Sequence, residues 1–447
     1  MKPGRMLIAF VVLAGLAAAV VWSNRIEKAK EGKPAADAPP KILSVKEDQV
    51  KEIDIKHRAG ETTTEKFNDS GRWQITSPQA LDADAGAVAS ITSAAANLNS
   101  ERLVDSNASD LASYGLAPPL LEVDLTTKDG KNTKLQLGEN TPTGSAVYAK
   151  LDGDPRLFTM AAFNKSAFDK TAKDLRDKRL LKFDQDKISR IELTAKKQTF
   201  EFGKAGATDW QILKPQPMRA DSSLLDGLVI KLKGASMDTS VSDEDAKKAA
   251  AAFASAAALA VAKVTDPSGT ETLEVRKSKD DYYAKSSVVA GVFKITKDLG
   301  DSLDQSPGDL RNKKIFDFGF SDPSRIEVKD GAKSAVYEKS GDKWTSAGKT
   351  TDSTSVQAFL DKARDLAATK FPETGFTTPA VTLTIVSNGG KRTEKVEIAA
   401  VGANFIARRE GEPSLYELDA NAVKDLRQAA GDIREAEPEK KQPEKKK

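Results

Sequence analysis

The sequence predicts an α+β protein built from three tandem repeats of antiparallel sheet plus helices, preceded by one amino-terminal transmembrane helix. Three observations predict this fold class. An unbroken stretch of apolar residues, alanine and glycine covers residues 6–22. Three tryptophans, Trp73, Trp210 and Trp344, recur 137 and 134 residues apart. Each follows a short strand of alternating polar and apolar residues and precedes a helix rich in alanine or leucine.

The apolar stretch at residues 6–22 predicts a membrane anchor. Lys2 and Arg5 precede it, and seventeen residues is the lower limit for a helix that spans a bilayer. A cleaved signal peptide has the same layout, and this alternative stays open. We favour the uncleaved anchor because Trp22 suits the membrane interface. We expect a single-pass protein of the inner (cytoplasmic) membrane, with residues 1–5 in the cytoplasm and the body in the periplasm or extracytoplasmic space.

The chain after the anchor divides at recurring markers. Residues 23–40 are rich in alanine, proline and lysine, which predicts a flexible linker. A basic joint, LRDKRLL at 175–181, returns 135 residues later as LRNKKIF at 310–316. The Trp and joint markers together predict repeats at 41–181, 182–316 and 317–434. The charged segment 435–447 cannot bury apolar area, which predicts a disordered tail.

Each repeat shows the same order of elements. Alternating strands at 50–55, 188–193 and 325–328 lead to the tryptophans. Helices are expected after each tryptophan, at 84–97, 221–232 and 353–368. In the first repeat, strands at 121–125, 135–137, 148–150 and 157–159 predict two hairpins, and a closing helix is expected at 161–175.

The repeat corrects one local interpretation. Residues 246–263 resemble a single alanine-rich helix. In the repeat alignment, however, residues 259–264 occupy the position of the strand at 121–126. We therefore expect the helix to end near Ser255 and a strand to follow it.

Composition excludes several classes of protein. The chain has 447 residues and no cysteine, so disulfides, iron–sulfur clusters and thiolate chemistry are excluded. His57 is the only histidine, so a site with two imidazoles is excluded as well. The 69 Lys and Arg residues nearly balance the 66 Asp and Glu residues, which argues against a nucleic-acid partner.

Four sequence patterns are candidates for a catalytic or binding site, and none of them predicts one. His57 with Asp54 and Glu61 could form a general base with an orienting carboxylate, although a histidine at a strand end is usually only solvated. The pairs Asp82/Asp84 and Asp184/Asp186 could bind calcium or cleave glycosides, but aspartates at helix entries usually cap them. The segment 341–350 lacks the glycine spacing of a phosphate loop. The remaining pattern is the set of joint residues Arg176, Lys178, Arg179, Arg311, Lys313 and Lys314.

Those joint residues could bind an anionic partner, but they also complement helix dipoles, and we favour that structural interpretation. The repeated tryptophans could be platforms for a ligand, but their recurrence favours a role in the core of each repeat. The sequence therefore predicts no catalytic, cofactor-binding or metal-binding residue and no cofactor.

The repeat motifs resemble the bacterial family called domain of unknown function 4340. The resemblance rests on the Trp-Gln-Ile strand, on the joint LRDKRLL, and on LASYGLAPP at 111–119, GENT at 138–141 and VYAK at 147–150. The second repeat departs from the pattern at 254–258, and the third keeps only GFTTP at 375–379. The resemblance implies an amino-terminal membrane segment and genes beside ABC-type export or gliding-motility-like transporters. It implies no catalytic motif.

Two functional hypotheses follow. The first is a non-enzymatic, membrane-anchored accessory or scaffold protein of the bacterial cell envelope, associated with the permease or ATPase subunits of an ABC-type transport system. The alternative is an extracytoplasmic binding module for a glycan, lipid or peptide. A deep pocket with convergent polar groups would favour the binding module, whereas broad sheet surfaces would favour the scaffold.

Overall fold

The structure is a computed structural model that describes residues 41–206, 209–320 and 323–437. The predicted anchor at 6–22 and the predicted linker at 23–40 lie outside the described residues. The chain divides into two compact units, one ending at Lys178 and the other beginning at Arg179. The first unit contains one sheet, and the second unit contains two sheets.

Three large antiparallel sheets make up most of the described chain. The first sheet has the strand order β4-β3-β2-β1-β6-β7-β8-β9-β5. Its strands are β1 Val50–His57, β2 Thr63–Phe67, β3 Trp73–Ser77, β4 Leu81–Asp82, β5 Arg102–Asp105, β6 Leu121–Thr127, β7 Asn132–Asn140, β8 Ala146–Leu151 and β9 Leu157–Ala161.

The second and third sheets repeat this order, except that the described part of the second has no counterpart of β5. The second sheet contains β10 Arg190–Ala195, β11 Gln198–Ala205, β12 Asp209–Lys214, β13 Met218–Arg219, β14 Ala257–Asp266, β15 Gly269–Ser278, β16 Asp281–Ser286 and β17 Val292–Ile295. The third contains β18 Arg325–Asp330, β19 Lys333–Ser340, β20 Lys343–Ser346, β21 Lys349–Thr350, β22 Ala368–Lys370, β23 Val381–Ser387, β24 Arg392–Val401, β25 Asn404–Arg409 and β26 Leu415–Leu418.

Short helices accompany the sheets. The α-helices in the described residues are α1 Ala85–Ala96, α2 Ala162–Phe168, α3 Ala172–Leu175, α4 Ser222–Lys233, α5 Asp243–Ser255, α6 Lys297–Leu303, α7 Ser353–Asp365 and α8 Ala420–Gly431. Single 3-10 turns form at Glu47–Gln49, Ala112–Tyr114, Gln185–Lys187, Pro307–Leu310 and Asn388–Gly390.

The predicted fold class, α+β with a leading transmembrane helix, is wrong. Antiparallel sheet dominates the described chain, and the helices are short covers of at most 13 residues. None of the helices within 41–206, 209–320 and 323–437 is long and apolar enough to cross a membrane. Less helix forms than the sequence predicted: the helix expected at 161–175 is broken into two short helices, and the helix expected at 353–368 ends at Asp365 because Ala368 pairs in the third sheet.

The repeated architecture is confirmed. Alternation of side chains places one face of each sheet in a core, as Leu121, Val123 and Leu125 show in β6, where all three are buried. Helix α1 contributes Val88 and Ile91 to the core of the first sheet. Helices α4 and α7 contribute in the same way to the second and third cores.

The chain enters and leaves every repeat beside the helix that follows the tryptophan. In the first repeat, the entering chain bonds just after α1, from the Ile42 N–H to the Leu98 carbonyl at 3.0 Å. The leaving chain pairs just before α1, where Arg176 bridges Ala83. The same entry and exit pairs recur as Arg179–Ser236 and Ala220–Arg311 in the second repeat, and as Lys314–Ala367 and Thr351–Glu435 in the third.

Candidate functional site

A cleft opens between the second and third sheets, inside the second compact unit. Its volume is about 570 Å³, and its lining includes Trp210, Arg219, Asp317, Arg392 and Glu412. The second repeat contributes the tryptophan strand and the segment before α4. The third repeat contributes the turn between β25 and β26 and the start of β24.

Arg219 is the residue around which this cleft is organised. It ends β13, and its carbonyl accepts a hydrogen bond from the Asn312 N–H at 3.0 Å, which holds the backbone in the exit pairing of the second repeat. Its guanidinium donates to Asp317 at 2.6 Å and lies 3.1 Å from the Glu412 carboxylate. It also donates to the Tyr416 hydroxyl at 3.2 Å.

A second arginine extends the network. Arg409, on β25, is only 11% exposed and donates to Glu412 at 2.8 Å and to Glu394 at 3.2 Å. The Asp317 N–H donates to the same buried Glu394 carboxylate at 2.7 Å. Hydrogen bonds between a guanidinium and a carboxylate are charge-assisted, and they are strong when they are shielded from water.

The network shifts the pKa values of Arg219 and Tyr416. Burial alone would lower the pKa of Arg219, but Tyr416, Asp317 and Glu412 outweigh burial and raise that pKa above its usual value. Burial raises the pKa of Tyr416 in spite of Arg219, so the hydroxyl stays protonated. It then donates to the Glu412 carboxylate at 2.7 Å. Through these hydrogen bonds, Arg219 of the second repeat is joined to Asp317, Glu412 and Tyr416 at the third.

The histidine candidate is rearranged in the structure. The partner of His57 is Asp169, whose carboxylate lies 2.8 Å from Nε2, and it is neither Asp54 nor Glu61. Asp54 instead accepts a hydrogen bond from the Thr64 hydroxyl at 2.5 Å. The candidate group of His57 with Asp54 and Glu61, which the sequence did not favour, is therefore not assembled. The contact with Asp169 instead connects the end of β1 to the break between α2 and α3.

One aspartate of each pair serves as a cap, as the structural interpretation predicted. Asp84 accepts hydrogen bonds from the Gly86 and Ala87 N–H groups at the start of α1. Asp184 accepts from the Asp186 N–H at the 3-10 turn. Across the described ranges, no three His, Asp or Glu side chains are grouped to hold a metal ion. The segment 341–350 forms the edge hairpin of β20 and β21.

The basic joints are explained by the entry and exit pairs. Arg176 and Arg311 lie at exit pairs, and Arg179 and Lys314 lie at entry pairs. Arg311 is half-buried, with its guanidinium 3.6 Å from the centre of the Phe371 ring and 3.0 Å from the Ser414 hydroxyl. Burial lowers the pKa of the Arg311 guanidinium. These positions give the joint motif a structural role in each repeat.

Comparison with known proteins places the chain in a family. The family described as Domain of unknown function (DUF4340) matches residues 73–243 and 210–384, which together cover more than half of the chain. The chain belongs to the DUF4340 family. Both DUF4340 matches begin at a repeated tryptophan, Trp73 and Trp210, so the shared unit runs from one repeat into the next. No curated protein and no solved structure matches the chain.

Proposed function

We propose that this DUF4340 protein is a non-enzymatic accessory or scaffold protein of the bacterial cell envelope that works with an ABC-type transport system. The observation that carries the proposal is that the same sheet occurs three times and that the outer faces of these sheets present paired charges. Such a body offers broad surfaces to other proteins, and each added repeat enlarges the surface without adding a reactive site.

Ion pairs between neighbouring strands cover those outer faces. Lys66 lies 2.8 Å from Glu52 in the first sheet, and Lys263 lies 2.7 Å from Glu192 in the second. In the third sheet, Lys395 lies 2.7 Å from Glu410. The whole chain also has a formal net charge of only +3, so the faces suit contacts with several proteins better than capture of one strongly charged ligand.

The cleft beside Arg219 bears on the alternative, a binding module. The carboxylates of the cleft, Asp317 and Glu412, already accept hydrogen bonds from arginines. The Ser222 hydroxyl accepts one from the backbone N–H of Trp210 at 3.0 Å. A ligand would have to displace these internal partners, each of which is a charged or backbone group. This cost favours the scaffold over the binding module.

Location and partner rest on the sequence. The apolar segment at 6–22 supports attachment to the inner membrane, and attachment would raise the effective concentration of the body near other membrane proteins. Weak contacts would then suffice for association. The transporter partner rests on what the family resemblance implies about neighbouring genes.

Affinity purification tests the proposal. The full-length protein, tagged at its carboxyl terminus, is cross-linked in cells, solubilised in detergent and purified, and its partners are identified by mass spectrometry. We expect permease or ATPase subunits to be enriched over a form that lacks residues 1–24. Recovery of neither subunit class would contradict the assigned partner.

A matched variant separates the two functions. Arg392 lines the cleft and is exposed, and it donates to the Asp317 carbonyl. Arg392→Gln should leave partner recovery unchanged if the protein is a scaffold. Loss of the partners in this variant, with an unchanged melting curve, would instead support a ligand-dependent binding module.

A further inference from the structure

Glu65 is a carboxylate in the core of the first sheet. It lies on β2, directly opposite Ile53 of β1 and Ile75 of β3, both of which are fully buried. Its own exposure is 0%, and neither of its carboxylate oxygens has a hydrogen-bond partner among the described residues. An ionised carboxylate in such a position is costly, because it has lost water and gained nothing in exchange.

The other two repeats show what this position usually holds. The residue opposite Ile191 in the second sheet is Phe202, and the residue opposite Ile326 in the third is Tyr337. Both aromatic side chains are buried. Glu65 therefore occupies a core position that is aromatic in the two sister sheets.

Among the described residues around it, no cation is a hydrogen-bond partner of Glu65. Lys128, which follows β6, lies over the Phe67 ring, 5.8 Å from its centre. Helix α1, whose side chains complete this core, contains no ionisable residue, and neither does β3. On its own strand, Lys66 is turned to the outer face and pairs with Glu52 of β1. The charged group that acts on Glu65 is Asp54 of β1, which carries the same sign of charge. Burial first, and then repulsion from Asp54, raise the pKa of Glu65 to about 8.

The hairpin that carries Glu65 is also closed less tightly than its counterparts. Trp73 of β3 is half-buried, whereas Trp210 and Trp344 are 4% and 5% exposed. Phe67 of β2, which contacts the Trp73 ring edge-on at 5.5 Å between centres, is 39% exposed. Strands β2, β3 and β4 form one end of the sheet. Among the described residues, the hairpin pairs with β1 on one side and with the two-residue strand β4 on the other.

We propose that the β2–β3 hairpin, Thr63 to Ser77, is a proton-controlled flap that a neutral Glu65 holds closed against β1. When the flap opens, water reaches the carboxyl group and the proton leaves. The closed flap holds one more proton than the open flap, so a rise in pH favours opening. The apolar faces of Phe67 and Trp73 become more accessible in the open state.

Proton linkage fixes the size of the effect. Between the ordinary range of a glutamate, near 4.5, and about 8, the closed flap keeps its proton and the open flap does not. The opening constant then rises by about tenfold for each pH unit and levels off above pH 8. Below about pH 4.5, both states are protonated and the dependence disappears.

Hydrogen–deuterium exchange of the full-length protein tests the flap. Exchange is measured from pH 5 to pH 9 and corrected for the intrinsic rate. The equivalent hairpins at 198–214 and 333–346 are internal controls in the same molecule. We expect amides at 63–77 to lose about tenfold protection per pH unit up to pH 8, while the control hairpins lose none.

Three variants assign the effect to the carboxyl group. Glu65→Gln cannot ionise, and Glu65→Phe restores the aromatic residue of the sister sheets, so both should abolish the pH dependence. Glu52→Gln, on the outer face of the neighbouring strand, should retain it. A pH dependence that survives in Glu65→Phe, or that appears equally in the control hairpins, would overturn the proposal.

Discussion

Trp210 combines two stabilising contacts in one side chain. Its ring is buried, and its indole N–H donates to the Asp226 carboxylate of α4 at 2.9 Å. Trp344 is buried in the same place in the third repeat. The expectation of a core role holds for Trp210 and Trp344, whereas Trp73 is only half-buried and packs against the first core from its margin.

Replacement of these tryptophans should therefore have unequal effects. Trp210→Ala removes a large buried side chain and should lower the free energy of unfolding by ~3–5 kcal/mol. Trp210→Phe, which mainly loses the hydrogen bond, should cost about 1 kcal/mol. Trp73→Ala should cost less than Trp210→Ala, because the Trp73 ring already contacts water. Denaturant unfolding measures all three, and equal costs for the two alanine variants would contradict this ranking.

Two decisive residues, Glu65 and Arg219, were not identified from the sequence. In an alternating strand, a charged residue is normally assigned to the solvent face, and Glu65 follows a β-bulge that changes the register of β2 against β3. An alignment of β2 with β11 and β19 would have placed Glu65 at the position that Phe202 and Tyr337 hold in the other repeats. Arg219 has no such signal, because its partners lie about 95 to 200 residues further along the chain.

At the scale of elements, aspartate caps set where the main helices begin. Asp84, Asp221 and Asp352 each precede a helix and accept hydrogen bonds from N–H groups of its first turn. The starts of α1, α4 and α7 were therefore predictable to within one residue. The side chain satisfies donors that the first turn of a helix leaves unpaired.

Removal of one cap should weaken its helix by a modest amount. Asp221→Ala leaves the Leu224 N–H without its acceptor at 3.1 Å, and should lower the free energy of unfolding by ~1 kcal/mol. Asp221→Asn keeps an acceptor oxygen and should cost only a few tenths of that. Thermal melts compare the two variants. A loss from Asp221→Asn as large as that from the alanine variant would show that charge, not capping, matters here.

The predicted carboxyl-terminal ends of the helices agree with the structure less often than the predicted starts. The repeat alignment placed the end of α5 near Ser255, and the structure confirms it, with β14 starting at Ala257. The closing helix expected at 161–175 is broken, because Thr171 and Asp174 form a capping box that starts a second helix. The helix expected at 353–368 ends at Asp365, since Ala368 pairs in the third sheet.

At the scale of the whole molecule, the two compact units should unfold separately. Arg219 belongs to the second unit, where it pairs with Asp317 and Glu412 of the third repeat. Arg219→Ala leaves both carboxylates without this partner and should cost ~3–5 kcal/mol. We expect calorimetry of the full-length protein to show the second unit's transition lowered by roughly 10 °C and the first unit's unchanged.

A reciprocal variant checks that assignment. Trp73 lies in the first unit, so Trp73→Ala should move only the other transition. Arg219→Lys keeps the charge but loses the planar fork and should fall between wild type and the alanine variant. If Arg219→Ala moved both transitions together, the units would not be thermodynamically independent.

The entry and exit pairs have a consequence for how such a protein can change in length. In every repeat, the chain arrives beside the end of one helix and departs beside the start of the same helix. A copy of the coding segment between two joints therefore encodes a sheet that closes on itself. Its backbone partners lie inside the copied segment. Duplication or deletion of such a segment can therefore lengthen or shorten this protein by whole repeats, in steps of about 135 residues, without new pairings having to evolve first.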